Sequence, residues 1–390
     1  MLITIIVFVL VLSVIVFVHE MGHFSMARKF GVKVDEFGLG LPPRVLGVRK
    51  INGQFKLVWG KSTIEPDSPT IYSLNLIPVG GFVKIKGESG EEAEAVDSFA
   101  HKPIWQRSAM IVAGVVMNVI LCMVLLSIGF GFGMPAALDE GISSQAVVTN
   151  KSIQVIQLMP DGQAKLAGLA AGDVISRIAG QEFTTISEIN TYLTARVGQE
   201  LNFEIVRGGE IINKKIKVDK YTFADQEITG IGVGLIETAM VRYPWYLAVY
   251  KGIVATFIWL SAIVVAFATI IKNLIVGMPT GVEVAGPVGI AVLTGQAAKM
   301  GLIYLLQFTA LLSLNLAIIN ILPFPALDGG RFLFLILEKI RGKAVQAKWE
   351  NLIHNLGFLF LMGLVLLVTF GDVIKYGGGV LGAIKGLFGF

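Results

Sequence analysis

The 390 residues are 54% hydrophobic and 15% charged, with a mean hydropathy of +0.73, which excludes an ordinary soluble domain and makes this an integral membrane protein. The net charge of +4 gives no case for a nucleic-acid partner, because the basic residues are spread along the chain and gather beside apolar segments, where they report topology. One cysteine, Cys122, excludes both an intramolecular disulfide and a thiolate metal cluster.

The first apolar run covers residues 2–27 and closes at Arg28 and Lys29. It is longer than the apolar region of a signal peptide and is read as a permanent span, domain 1–29. Inside it His19, Glu20 and His23 spell H-E-M-G-H. Residues four apart share one face of a helix, so both imidazoles can reach one metal ion while Glu20 is carried beside it as a general base. Such a pattern also arises by chance, and a histidine near a helix end is often a satisfied interfacial residue. Yet ionisable residues inside a span are costly, and two of the chain's four histidines flank a glutamate here. A zinc site within the membrane is the expectation.

From 30 to 107, short β-prone runs (VKVDEFG, FKLVWG, TIYSLNL, FVKIKG) alternate with Gly and Pro breaks and predict a small sheet at the membrane face. Gly80 and Gly81 open the alternating run Phe82–Lys86, which reads as a hairpin edge or as an ordinary turn. The acidic stretch 87–97 reads as a solvated linker. A second span, 108–132, follows Lys102 and Arg107.

Residues 153–235 then run strand, short helix, the glycine-punctuated stretch LAAGDVISRIAG, a polar helix near 186–196 and two more strands. The pattern A-x-x-A-G-L-x-x-G-D-x-I-x-x-I-x-G from Ala164 to Gly180 resembles a bacterial circularly permuted PDZ domain, whose kind captures extended peptides at a sheet edge.

Region 243–300 contains a run, 243–277, long enough to span. The third span, in domain 302–330, breaks at Pro323 and Pro325, and the fourth is 352–372, with a tail at 373–390. The basic loops, 30–107 and 331–351, are expected in the cytoplasm, which puts both termini and 153–235 outside. Parity then requires 243–277 to re-enter or to lie at the interface. The fold class expected is a polytopic α-helical membrane protein with four core spans, one interfacial or re-entrant segment, a membrane-associated β-sheet and an inserted α+β PDZ-like domain.

A catalytic zinc needs a third protein ligand. Glu283, Asp328, Glu338 and Asp372 are the acids near apolar segments. Asp328 stands out, because Pro323 and Pro325 end the third span just before it, Gly329 and Gly330 follow it, and the topology sets it at the depth of His19 and His23. Glu338 and Asp372 read as solvated flanks, and His354 as an interfacial residue.

Together, H-E-M-G-H at 19–23, P-V-G-G-F-V-K at 78–84, G-P-V-G-I-A at 286–291 and N-x-x-P-x-P-x-L-D-G at 320–329 resemble the site-2 proteases, in particular the bacterial regulatory branch with a PDZ domain between the second and third core spans. The resemblance covers nearly the whole chain. It implies Zn2+ on His19, His23 and Asp328, Glu20 as general base, and substrate contacts at Asn315, Asn320 and the edge Gly80, Gly81, Phe82 and Val83. It also implies a multi-pass protein of the bacterial cytoplasmic membrane that cleaves single-span membrane proteins, for example an anti-sigma factor or a signal-peptide remnant, after an upstream site-1-type protease, with the PDZ-like domain gating access. The family often carries two such domains; this chain shows one. The rival classes are a non-catalytic PDZ-bearing scaffold or pseudoprotease, which needs no intact metal motif, and a transporter, which should show repeated halves.

Overall fold

Apolar runs longer than any turn interrupts set the local structure, and the polar stretches between them fold as sheets. The computed structural model describes residues 2–60, 68–88, 90, 94–138, 142–159, 161–223, 226–278 and 285–388. The chain begins with α1 (Leu2–Lys29), β1 (Val34–Ile51), β2 (Gln54–Trp59), β3 (Ile71–Ile85) and α2 (Ile104–Phe132). Next come β4 (Met134–Ala137), β5 (Val147–Leu158), α3 (Gln163–Leu166), β6 (Val174–Ile178), β7 (Gln181–Glu182), α4 (Ile186–Thr194), β8 (Glu200–Arg207), β9 (Glu210–Lys217), β10 (Asp219–Phe223), β11 (Gln226–Gly230) and β12 (Val233–Arg242). Five helices close it: α5 (Trp245–Val276), α6 (Pro287–Met300), α7 (Leu302–Ile321), α8 (Asp328–Arg341) and α9 (Ala347–Phe388).

Helices α1, α2, α5, α7 and the Ala347–Lys375 part of α9 are each long and apolar enough to cross a membrane. Within 243–277 the helix α5 is unbroken from Trp245 to Val276. Two expectations are corrected. The basic stretch 331–351 is mostly helix, because α8 starts at Asp328 itself, and the tail from 373 continues α9.

Contacts divide the chain into two units. The first holds residues 1–126, 253–298 and 308–390. In it α2 runs antiparallel to α1, so close that a Cβ on Gly22 would lie 2.4 Å from the Ala113 carbonyl oxygen. Small residues at such contacts let two helix backbones touch where lipid supplies no hydrophobic drive. Strands β2, β1 and β3 form one sheet in that order. Glu36–Leu39 faces Gly81–Lys84 on one side and Ile71–Leu74 on the other, so among the described residues Gly81–Val83 pair with β1 alone. Ala27, Val34, Ile85, Met110, Ile111 and Leu335 bury a common core that binds α1, the sheet, α2 and α8 together. The ends of the acidic stretch are anchored, contrary to a solvated linker: Lys86 holds Asp97 at 2.9 Å, and Glu88 pairs with Arg331.

The second unit, residues 127–252 with 299–307, carries a seven-stranded sheet in the order β4-β12-β5-β6-β8-β9, with β7 on β6. It extends beyond 153–235 because β4 and the C-terminal half of β12 join it. Its core includes Ile153, Ile178, Ile189, Phe203 and Ile205. The glycine pattern acts in the turns: Gly168 and Gly172 have φ of +81° and +95°, a region that side chains rarely enter. Thr185 and Glu188 form a capping box at the start of α4. Arg207 clamps Asp173 through bonds of 2.6 and 2.7 Å. Burial alone would lift the Asp173 carboxyl, but Arg207 and the Ala170 amide outweigh it and hold it below the usual carboxylate range.

Candidate metal centre

The buried stripe of α1 runs Val11, Ile15, His19, Gly22 and Ala27, at the three-to-five spacing of one helix face. His19 is therefore delivered into the α1–α2 contact, and His23 stands one turn further on. The third participant arrives from more than 300 residues away. Helix α7 ends at Ile321, and a six-residue connection with Pro323 and Pro325 leads into α8, whose first residue is Asp328. Gly329 and Gly330 permit the close approach of α8 to the end of α7, since a Cβ on either would lie 2.2–2.3 Å from a carbonyl oxygen of Leu322 or Phe324.

The ligand-type atoms converge. His19 Nε2 lies 3.0 Å and His23 Nε2 3.3 Å from Asp328 Oδ2, and the two Nε2 atoms are 3.2 Å apart. These are the edges of a tetrahedron with bonds of about 2 Å, the length of a zinc–nitrogen or zinc–oxygen bond. The donor chemistry agrees. His23 Nδ1 donates to the Met110 carbonyl at 2.9 Å, which puts the proton on Nδ1 and leaves a lone pair on Nε2. Asp328 Oδ2 is buried and receives no hydrogen bond. Lone pairs pointed at one another across about 3 Å repel unless a cation sits among them, so the three residues fit a metal ion. Among the described residues this is the single cluster of three such side chains.

Asn118 of α2 reaches His19, with 3.4 Å between its Nδ2 and His19 Nδ1, while its own Oδ1 is buried without a partner. Turning that amide by half a turn sets Oδ1 against a proton on Nδ1, pairs the orphan oxygen and frees Nε2 for a metal. Ser313 of α7 donates to the Asn118 carbonyl at 2.9 Å. Gly114 lies over both imidazoles: its Cβ would stand 2.4 Å from His23 Nε2 and 2.7 Å from His19 Cε1.

A cavity of about 230 Å³ opens on this cluster, lined by Glu20, His23, Asp328, Arg331, Phe82 and Val83 among others. Glu20 lies beside the edge strand: a Cβ on Gly81 would be 3.6 Å from Glu20 Cγ, and the Val83 amide hydrogen-bonds to its carboxylate. Gly80 takes a φ of +81° at the start of that edge.

The other residues singled out in the sequence divide. Asn320 joins the centre, its Nδ2 3.3 Å from His19 Nε2. Asn315 does not, and donates instead to the Leu311 carbonyl one turn back at 2.9 Å. Glu283 lies outside the described residues. Neither Glu338 nor Asp372 is a solvated flank. Glu338 pairs with Arg107 at 3.0 Å, and Asp372 is 5% exposed and accepts from the Gly286 and Gly289 amides at the start of α6. His354 is not simply interfacial, since its Nδ1 accepts the Ala326 amide. Sequence reasoning missed Gly114, Asn118 and Arg331; a polar Asn within an apolar span was a usable signal for Asn118, and nothing local marked the other two.

The model of Peptidase family M50 matches residues 7–364. The chain is 30% identical to the zinc metalloprotease RasP of Geobacillus kaustophilus, over 96% of this chain and 98% of that one. It is 28% identical to the regulator of sigma-W protease RasP of Bacillus subtilis, over 95% and 98%. Part of it is also similar to the PDZ domain of an SdrC-like protein from Listeria monocytogenes, at 27% identity and a TM-score of 0.21, covering 23% of this chain and 92% of that one.

Gly114→Ala separates a site constraint from helix propensity. Alanine in mid-helix is intrinsically favoured by about 1 kcal/mol, so an indifferent position would gain stability. Here the added methyl meets both imidazoles, and we expect bound zinc per protein, by elemental analysis, to fall below half the wild-type value, with cleavage about 100-fold down.

Proposed function

Because the chain belongs to peptidase family M50, we propose that His19, His23 and Asp328 hold a zinc ion and that Glu20 is the general base of an intramembrane endopeptidase. The observation that carries this is the meeting of three lone-pair donors, from the first span and from the start of α8 some 300 residues later, beside a cavity lined by Glu20, His23 and Asp328. Two relatives' names support the reading, a zinc metalloprotease of Geobacillus for the metal and a regulator of sigma-W protease of Bacillus for the reaction class. A scaffold or pseudoprotease would have no need of this complete set.

Zinc supplies Lewis acidity to the attacking water and to the scissile carbonyl. The residues do the rest. The Glu20 carboxylate takes a proton from the water and returns it to the leaving nitrogen. A helical substrate has to unwind before its carbonyl is reachable, and its freed amides need partners in lipid, where each unsatisfied group costs several kcal/mol. The edge of Gly81–Val83, paired with β1 on one side only, offers them by strand addition; the Val83 amide would have to release Glu20 to take part. Asn320, close to His19, offers an amide; Asn315 would have to release the Leu311 carbonyl to do the same. The substrates are single-span membrane proteins such as an anti-sigma factor or a signal-peptide remnant, already shortened by an upstream site-1-type protease, and the product is released to the cytoplasm.

The setting is the bacterial cytoplasmic membrane with four core spans, α1, α2, α7 and α9. A Cβ on Gly295 of α6 would touch Thr4 at the N-terminal end of α1, whereas Asn320, at the far end of α7, reaches His19. Helix α7 thus runs parallel to α1, and α2 runs antiparallel to it. The chain accordingly leaves α2 and enters α7 on the side of the α1 N-terminus. This supports an α5 that makes no net crossing; with Thr256 against Cys122, ten residues inside the end of α2, it enters the membrane from the external side rather than lying at the interface. The 153–235 region is read as a PDZ-like gate on that side. No metal cluster occurs in it among the described residues. A cavity of about 260 Å³ along β12, lined by Ile189, Leu193, Val233 and Leu235, is the groove on which a rival docking mechanism would depend.

Glu20→Gln is expected to keep zinc and fold and to abolish cleavage of a transmembrane substrate by the purified protein, since an amide cannot accept the water's proton. Activity equal to wild type would sink the assignment. In a Cys122→Ser background, cysteines at Lys220 and Met278 should both react with an impermeant thiol reagent added outside the cell; a Met278 site reachable only from the cytoplasm would make α5 a fifth span. Deleting residues 153–235 should preserve cleavage of substrates with short ectodomains and admit long ones. Loss of short-substrate cleavage in a folded, zinc-loaded deletion would favour docking over gating.

A further inference from the structure

Asp328 sits at the end of the connection Leu322–Leu327, which has little means of holding its own shape. Pro323 and Pro325 have no amide proton. Phe324 donates to Leu322 and Leu327 to Phe324, both within the connection. Leu322 donates back to Ile319 of α7, and the Ala326 amide alone reaches an element other than the two helices being joined, donating to Nδ1 of His354 on α9 at 2.9 Å. Ala326 is also where the backbone is strained, with φ of +78°, in the left-handed region that a side-chain-bearing residue keeps only when its surroundings impose it. Two residues later the chain delivers the carboxylate.

Helix α9 is shaped to make this contact. His354, Gly357 and Phe360 share one face at three-residue spacing. A Cβ on Gly357 would stand 2.5 Å from Pro325 Cβ and 2.6 Å from the Pro325 oxygen, so the helix backbone rests on the connection. Phe360 packs on Phe324 with ring centroids 5.8 Å apart, and the His354 imidazole lies against Phe334 of α8 at 5.5 Å. An Nδ1 that accepts requires the neutral tautomer with its proton on Nε2.

We propose that His354 is a positioning residue for the metal centre: by accepting the Ala326 amide it holds the left-handed turn that aims Asp328 at His19 and His23. This rests on Asp328 being a zinc ligand. His354 itself does not reach the ligand atoms, and its effect is to lower the freedom of the third ligand and so to slow loss of the metal.

The test is the rate of zinc release from the full-length, detergent-solubilised protein to a chromophoric chelator, with thermal stability of the metal-free form measured alongside. His354→Leu removes the acceptor and keeps an apolar side chain of similar bulk; His354→Asn keeps an acceptor at the Nδ1 position. We expect zinc to leave the Leu variant at least tenfold faster than wild type, the Asn variant to stay within about threefold, and the metal-free melting temperatures to agree. Wild-type release from the Leu variant, or equal acceleration in Leu and Asn, would overturn the proposal, the latter by making ring packing the cause. If the Leu variant does not fold, replacing Ala326 by lactic acid deletes the same amide proton with His354 intact; it should release zinc as fast as expected for Leu, and normal release would again reject the role. Asp328→Ala, run in parallel, keeps the two levels apart. Unchanged zinc there refutes the ligand assignment, whereas zinc loss there with a fully retentive His354→Leu refutes only the positioning.

Discussion

Everything about the centre depends on bringing three lone-pair donors within 3.3 Å of one another inside a packed helical interface. In lipid such a cluster is costly unless each donor is oriented and its remaining polar atoms are paired. The surroundings meet that demand atom by atom: the Met110 carbonyl takes the outer proton of His23, Asn118 stands at the outer nitrogen of His19, and His354 fixes the turn before Asp328. The helices are placed so that main-chain and amide groups lie where the ligands need them.

That placement is achieved with glycine. Gly22 sets α1 on the α2 backbone, Gly114 leaves room over the imidazoles, Gly329 and Gly330 let α8 fold against the end of α7, and Gly357 lets α9 rest on Pro325. Backbone approach substitutes for hydrophobic drive, which is weak between helices already surrounded by hydrocarbon. The consequence is a site intolerant of small changes far from any ligand atom, because one methyl group displaces a whole helix.

The sheet beside the centre follows a second logic. Residues 81–83 pair with β1 on one side only, and their other edge runs along Glu20. Exposed edges invite pairing, so on the mechanism proposed above an extended substrate would find main-chain partners next to the general base that activates the attacking water. On that proposal the groups that expose a peptide bond and those that cleave it would be carried by neighbouring elements, which are tied through the core of Ala27, Ile85, Met110 and Leu335.

Local chemistry was legible in the chain itself. Long apolar runs require helices because no other element satisfies its own amides in lipid, and a four-residue spacing requires His19 and His23 to share a face. Pro323, Pro325 and the following glycines likewise marked where a helix had to stop and an acid be presented. What tertiary packing alone decided were the groups that meet only once the helices are assembled. Asn118 reaches His19 across 99 positions and His354 reaches Ala326 across 28, while Asp372 turned from a flank into a buried cap for α6 and Asn315 turned back on its own helix. Periodicity tells which face of a helix is buried. It carries no record of which neighbour that face meets, since the close contacts that choose the neighbour are made by glycines and main-chain carbonyls that leave no pattern in hydropathy.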